Sequence, residues 1–311
     1  MISVSCPGKI MLAGEYAVLD GGRALAHTID ARMNVTFEMS PSGETTIHSN
    51  LWPKAITYPS LSEELALQSI AFFESQLGKL PPLQIKINSE LEVQHGVGSS
   101  SALRLCLVTG LAQLMHKELN QQDFMKISYQ DQKRFQTLAS GYDIITQALG
   151  GLVCVSFSDL AWPSTCFKVS SPHLEKVKIY VGGKGAPTKL TAISTSKWLS
   201  QNVKKENLLE RSEALVEAWF DSNFGILLEK IELHREIFKG SPSFPAYLEI
   251  ALSPFQDQSR WTWKTTGAGG EDAILLIGDP PNEALQSLNQ LGWHPSKYQF
   301  SEFGLSYDHS S

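Results

Sequence analysis

The stretch Val93-Gln94-His95-Gly96-Val97-Gly98-Ser99-Ser100-Ser101-Ala102-Leu103 sets two glycines and three serines between a strand-like run, Leu83 to Asn88, and an apolar segment, Ala102 to Met115, that reads as a buried helix. A loop of that composition feeding a helix N-terminus suits an anion. Glycine lets the backbone curl close to phosphate, the free N–H groups and the positive end of the helix dipole favour negative charge, and serine hydroxyls cap the helix or reach a metal. The chemistry expected is a phosphate cradle, and the competing reading of the same residues is an ordinary turn with a helix cap. No lysine follows the second glycine as a Walker A loop requires, and Ser101 stands where a Rossmann loop has its third glycine. A nucleotide held here is held by another design.

Charged residues near other glycine clusters extend that chemistry. Pro7 to Gly22 places Lys9, Glu15 and Asp20 among glycines and apolar residues. A lysine alone is usually a solvated charge, but a cation beside a transferring phosphoryl group stabilises its charge and lowers the barrier. Leu138 to Gly151 carries Asp143 as an isolated carboxylate in apolar surroundings, where an unpaired charge is expensive to bury. Asp143 therefore either caps a helix or takes part in the chemistry. The third cluster, Lys264-Thr265-Thr266-Gly267-Ala268-Gly269-Gly270-Glu271-Asp272, runs into a strand, Ala273 to Ile277, and such a turn marks close backbone approach to a loop or a ligand.

The elements that must position these residues follow from periodicity and punctuation. The 311 residues allow two ordinary domains or one large one, and a formal net charge of −6 argues against a general polyanion binder such as a nucleic-acid protein. Asn34 to Met39 and Thr45 to His48, joined through Ser40-Pro41-Ser42-Gly43-Glu44, suggest a hairpin. Ser62 to Leu77 and Gln122 to Leu138 have helical spacing, and Leu152 to Phe157 is strand-like. Asp159 to Pro172 is the best linker candidate. Beyond it come a strand, Lys176 to Val181, a glycine loop, Gly182 to Lys189, and helical segments over Thr195 to Asn202, Glu206 to Lys239 with an interruption near Asn223-Phe224-Gly225, and Pro245 to Leu252. A last helix, Asn282 to Leu291, and a short terminal strand or coil close a small α/β unit. Cys6, Cys106, Cys154 and Cys166 lack CxxC pairing and suit buried free thiols in a reducing cytoplasm. No export signal is expected, because Met1 to Lys9 lack a basic stretch followed by an apolar one, and no membrane span, because the longest apolar runs are broken by Arg104 or Asp143.

Taken in order, Lys9-to-Tyr16, Gly96-to-Ala102, Ser140-to-Asp143 and Gly267-to-Asp272 resemble the motifs of the GHMP small-molecule kinase superfamily, named for galactokinase, homoserine kinase, mevalonate kinase and phosphomevalonate kinase. Gly96-Val97-Gly98-Ser99-Ser100-Ser101-Ala102 is similar to its GLGSSAA signature. Gly14-Glu15-Tyr16-Ala17-Val18, Gln132 followed by Ser140-Gly141-Tyr142-Asp143, and the Gly182-to-Thr188 loop resemble the phosphomevalonate kinase branch, with the mevalonate kinase branch next. Glu271 and Arg23 depart from the pattern, standing where the family has glycine and proline, and the chain is short for the branch. The Tyr-Trp-Gly-Lys signature of the decarboxylase branch is absent.

The resemblance implies an α+β fold with two domains: a ribosomal-S5-like, ATP-binding domain over residues 1–165 and a ferredoxin-like domain over residues 166–311. It implies ATP on Gly96, Val97, Gly98, Ser99, Ser100 and Ser101, Mg²⁺ at Ser100, and Lys9 and Asp143 as catalytic residues. It places the acceptor on Glu15, Tyr16, Ser140, Gly141, Gly267, Ala268 and Gly269. Gln132 falls where mevalonate kinases have a metal-sharing glutamate. The implied reaction is ATP-dependent phosphorylation of phosphomevalonate, with mevalonate or another small-molecule acceptor as the alternative. A catalytically silent metabolite-binding member is a further alternative, because Glu271 sets a carboxylate in the third loop. Lys184, Lys189, Arg104 and Arg134 are candidates for holding an acceptor phosphate.

Overall fold

The computed structural model describes residues 1–60, 64–156, 165–182, 188–270 and 272–309. The chain opens with β1 (Ile2–Ala13) and β2 (Ala24–Met39), a long antiparallel pair running from Ile2 opposite Phe37 to Ala13 opposite Leu25. In β1 side chains alternate between core and partial exposure up to Cys6, then every residue from Cys6 to Ala13 is buried. A strand covered on both faces is apolar throughout, so Lys9 in that run is a charge placed where only a partner or a ligand justifies it.

The hairpin expected over Asn34 to His48 does not form. Between β2 and β3 (Thr45–Ser49) lies β5 (Leu83–Ser89), antiparallel to β2 and parallel to β3, while β4 (Ile56–Tyr58) pairs with β3 at the sheet edge. The connection between β2 and β3 spans one strand width too many for a tight turn. Ser40 N donates to Pro82 O at 2.9 Å and Leu83 N donates to Thr45 Oγ1 at 3.0 Å, so the incoming strand takes the slot a hairpin would have closed.

Helices α1 (Leu65–Leu77), α2 (Ser99–Leu114), α3 (Gln121–Phe135) and α4 (Tyr142–Leu149) belong to the same half of the molecule. Buried α2 runs against β1 and β2, and its residues from Ser101 to Ala112 are all inaccessible. It starts at Ser99, not Ala102, because Gly98 in the left-handed region serves as its N-cap. The sheet ends with β6 (Leu152–Ser156) on β2 and β7 (Thr165–Lys168) on β6. Thr165 to Lys168 is thus an exposed edge strand, its polar composition having suggested a linker; residues 159–164 of that stretch lie outside the described ones.

A second sheet has the order β11-β8-β10-β9, built from β8 (Val177–Val181), β9 (Trp261–Thr265), β10 (Ala273–Gly278) and β11 (His294–Pro295). Its strands come first, third and second in the chain after the fourth at one edge, which is the ferredoxin-like arrangement. Between β8 and β9 run α5 (Thr188–Asn202), α6 (Lys205–Ala218), α7 (Phe224–Phe238) and α8 (Ala246–Leu252), and α9 (Asn282–Gln290) lies between β10 and β11. The expected break near Asn223 is present, Asn223 capping α7 through its side chain onto Gly225 N at 3.0 Å. Strand β9 has no counterpart in the expectations above; its Trp261 and Trp263 are core residues of this sheet with Ile274, Leu276 and Trp293. The terminal strand β12 (Ser306–His309) returns to pair with β1.

Cys6, Cys106 and Cys154 are buried free thiols and Cys166 is half-buried. Among the described residues no helix is long and apolar enough to cross a membrane.

Candidate active site

The first glycine loop is stitched to β1 through Lys9. Lys9 N donates to Val97 O at 2.9 Å and Lys9 Nζ donates to Gly96 O at 2.8 Å. From the other side, Gln147 on α4 donates through Nε2 to Pro7 O at 2.7 Å and to Gly98 O at 3.0 Å. Gly96 and Gly98 have φ of 63° and 82°, and a Cβ on Gly98 would stand 3.0 Å from Gln147 Nε2 and 3.2 Å from Lys9 Cε. Only glycine lets the loop press this closely on its own fasteners. The first turn of α2 then opens onto a cavity of about 340 Å³.

Asp143 lies in the first turn of α4, whose N-cap is Gly141 at φ 78°. Its carboxylate accepts the hydroxyl of Ser101, the amide of Gln132 (3.0 Å to Oδ2) and the backbone N–H of Ile144 (3.0 Å to Oδ1). The two readings of Asp143 therefore coexist: it satisfies a helix-start N–H and also faces the cavity. The third glycine loop is bound to β1 by Thr266, whose Oγ1 donates to Met11 O at 2.8 Å and accepts from Met11 N at 3.1 Å. Tyr16 OH donates to Ala268 O at 2.7 Å, and a Cβ on Gly96 would lie 3.0 Å from Asp272 Oδ2. Three turns far apart in sequence thus surround one cavity.

Of the expected nucleotide residues, Gly96, Gly98, Ser99 and Ser100 line the cavity. Val97 does not, since its side chain is buried in the core, and Ser101 is buried against Asp143. A helix that starts at Ser99 turns the third serine inward, and Val97, ahead of the N-cap, packs into the core. Glu15, Tyr16, Ser140, Gly141, Gly267 and Ala268 line the cavity, whereas Gly269 sits behind it against Ser243. Arg104 and Arg134 are not at the cavity: both are paired with buried Asp131, through Arg104 Nε at 3.0 Å and Arg134 Nη1 at 2.9 Å. A fully buried carboxylate demands such partners, so these arginines are structural. Lys184, the side chain of Lys189, and Glu271 lie outside the described residues. Arg23 binds Glu213 at 2.6 Å and Glu217 at 2.5 Å, both on α6.

Sequence reasoning passed over Gln147, Thr266 and Lys264. Lys264 pairs with Glu15, and both are buried. The signal available was the Lys264-Thr265-Thr266 run ahead of the glycines, charged and polar where the strand pattern calls for core.

Burial pushes the Lys9 ammonium below its ordinary pKa, opposed by the charges of Asp143, Asp272 and Glu15. Burial also raises the Tyr142 phenol well above its usual range and pushes Tyr16 up to about 12. The phenols are neutral, and among the described residues the charged groups at the wall are Lys9 and the acidic Glu15, Asp143 and Asp272. A cation, a carboxylate oriented by neutral donors and a helix N-terminus around one cavity are the parts phosphoryl transfer needs.

Fold and cavity are those expected of a small-molecule kinase. The family described as GHMP kinases N terminal domain matches residues 64–151. The mevalonate kinase of Pyrococcus abyssi is 23% identical over 265 residues, 77% of this chain and 73% of that one. Alignments to some other archaeal mevalonate kinases span about half of those proteins. The phosphomevalonate kinase of Saccharolobus solfataricus is 22% identical over 317 residues, 94% of this chain and 95% of that one. The structure of Streptococcus pneumoniae phosphomevalonate kinase in complex with phosphomevalonate and AMPPNP shares the fold, with TM-score 0.77 and 22% identity over 96% of this chain and 100% of that one. Residues 64–151 thus match the GHMP kinases N terminal domain, and the whole chain has the fold of a GHMP small-molecule kinase.

Proposed function

We propose that the protein phosphorylates phosphomevalonate with ATP to give diphosphomevalonate. The supporting observation is the near end-to-end alignment with the Saccharolobus phosphomevalonate kinase, 94% of one chain and 95% of the other. A second reading, mevalonate as acceptor, is favoured by a specific feature: among the described residues lining the cavity, the cation is Lys9. An acceptor carrying its own phosphate asks for another. We also propose the division into an ATP-binding half, formed by the first sheet, and a half formed by the second.

In this reading the acceptor oxygen attacks the γ-phosphorus, the bond from that phosphorus to the bridging oxygen breaks, and ADP leaves. Gly96, Gly98, Ser99 and Ser100 cradle the ATP phosphates with the first N–H groups of α2. Lys9 offsets the charge on the transferring group. Asp143, held by Ser101 and Gln132, positions the attacking oxygen; a phosphate monoester, with a second pKa of about 6, is already ionised and needs orientation more than proton removal.

Mg²⁺ suits the wall that Ser100 shares with Gln132, whose buried Oε1 has no hydrogen-bond partner. Among the described residues no group of three His, Cys, Asp or Glu side chains is arranged to hold a metal. Ser100 and the Gln132 carbonyl would therefore share the ion with ATP oxygens and water, as this cation usually permits. The ion supplies further neutralisation of the phosphate charge.

An ADP-release assay with mevalonate, phosphomevalonate, homoserine and galactose tests the proposal. Turnover with phosphomevalonate alone supports it, turnover with mevalonate alone assigns the second reading, and ligand binding without turnover on any of the four indicates a silent member.

A further inference from the structure

We infer that Lys264 is a positioning residue: paired with Glu15, its ammonium ties the turn at Glu15-Tyr16 to the third glycine loop and so sets the wall on which the acceptor rests. The inference depends on the kinase reading of the cavity and not on which acceptor fills it.

Lys264 ends no surface chain. Its side chain is 4% exposed, that of Glu15 is 5% exposed, and the two form an ion pair across 249 positions of sequence. A second donor position of the ammonium is spent on Thr265 O at 2.8 Å. Lys264 itself does not line the main cavity, whereas Glu15 does, so the lysine acts through its partner.

The pair is one of three ties along the same seam. Met11 is bound to Thr266, Glu15 to Lys264 and Tyr16 to Ala268, joining β1 and the turn after it to β9 and its loop. Of these only the middle one is charged, and charge-assisted bonds are about twice as strong as neutral ones.

The turn needs such fastening. Tyr16 has φ of 59°, a conformation rarely held by a residue with a side chain, and it persists only where the surroundings impose it. Gly14 before it has φ of 102°, and a Cβ there would meet Arg23 O at 2.3 Å. The backbone is thus pressed on β2 from one side and pulled by Lys264 and Ala268 from the other.

Among the described residues Lys264 is the cation paired directly with Glu15, and Lys9 acts on it only through its charge. His234 on α7 approaches Glu15 Oε2 at 4.0 Å, but burial holds it neutral, at a pKa of about 4. Of the Glu15 carboxylate that the motif offers as an acceptor ligand, Oε1 is therefore committed to the ammonium behind it, while Oε2 is buried with no hydrogen-bond partner.

The test uses the full chain and two variants. Glu15→Gln/Lys264→Met removes both charges together, so neither is left buried alone. Glu15→Asp keeps both charges and shortens the tie by one methylene. In the double variant the KM for the acceptor is expected to rise about 10-fold while affinity for a non-hydrolysable ATP analogue stays within about twofold. Amide exchange over residues 266–270 is expected to accelerate by about 10-fold, and Glu15→Asp to show the same two changes at a smaller size. Unchanged exchange over 266–270 in either folded variant overturns the inference, as does a loss of nucleotide affinity equal to the loss for the acceptor. Should the native protein turn over none of the four acceptors, the kinase reading fails, and the exchange measurement still decides whether the tie exists.

Discussion

Gln132 Nε2 lies 3.0 Å from Asp143 Oδ2, so a neutral amide on α3 orients the one carboxylate that α4 presents to the cavity. Ser101 donates to the same oxygen from α2, and the three helices meet at a single side chain. Replacing the amide by an apolar group of similar size should leave Asp143 held by Ser101 and the Ile144 N–H alone, and so less firmly aimed. Gln132→Leu is expected to lower kcat by about 10- to 10²-fold, as measured by steady-state kinetics at saturating Mg²⁺ and ATP.

Lys9→Met and Asp143→Asn should each reduce turnover by on the order of 10²-fold or more while the far-ultraviolet circular dichroism stays native. Lys9 carries the further duty of holding Gly96 O, so its variant should also weaken ATP binding, whereas the Asp143 variant should not. Native turnover in both variants would remove them from the chemistry.

Gly98→Ala puts a methyl group 3.0 Å from Gln147 Nε2 at a position with φ of 82°. The backbone strain alone is about 1–2 kcal/mol, and the loop must shift to relieve it. ATP affinity is expected to fall about 10-fold by titration calorimetry, since 1.4 kcal/mol is one decade.

His234 is buried and its pKa is lowered from 6.5 to about 4, mainly by burial, with Glu15 opposing and Lys264 and Arg211 adding to the shift. The unfolded chain therefore binds a proton that the folded chain refuses. Stability from this group is complete above about pH 6.5 and is lost as pH falls toward 4, to a total of about 3 kcal/mol. Urea midpoints from pH 7 to pH 4 should decline less steeply for His234→Gln than for the native chain; equal slopes would contradict the assignment.

Arg104 and Asp131 form a pair with side chains 1% and 0% exposed. Arg104→Met leaves Asp131 with Arg134 and Ser69 in a dry site and should destabilise the protein by about 3–5 kcal/mol in urea unfolding. An acceptor-phosphate role would instead appear as a raised acceptor KM without loss of stability.

Local chemistry made some parts legible. The break at Asn223, the helices over Leu65–Leu77 and Ala246–Leu252 and the strand after the third glycine cluster followed from caps, periodicity and punctuation, which act between near neighbours. The hairpin over Asn34 to His48 failed because pairing belongs to whichever strand best fills the slot, and β5 comes from beyond a helix. Arg104 and Arg134 looked free for a ligand because sequence shows a charge but not the buried Asp131 that consumes it.

By itself the sequence placed glycines at 96, 98 and 141, where the backbone is free to curl, and set Lys9 and Asp143 among apolar residues that demand partners for them. Conformational freedom and the penalty of burying charge belong to each residue and its neighbours, so they can be read along the chain. Only the tertiary structure decided which groups meet: Lys9 with Gly96, Asp143 with Ser101 and Gln132, Glu15 with Lys264. Those contacts depend on how two sheets and their helices pack, and packing free energy rewards surface burial without regard to distance in sequence.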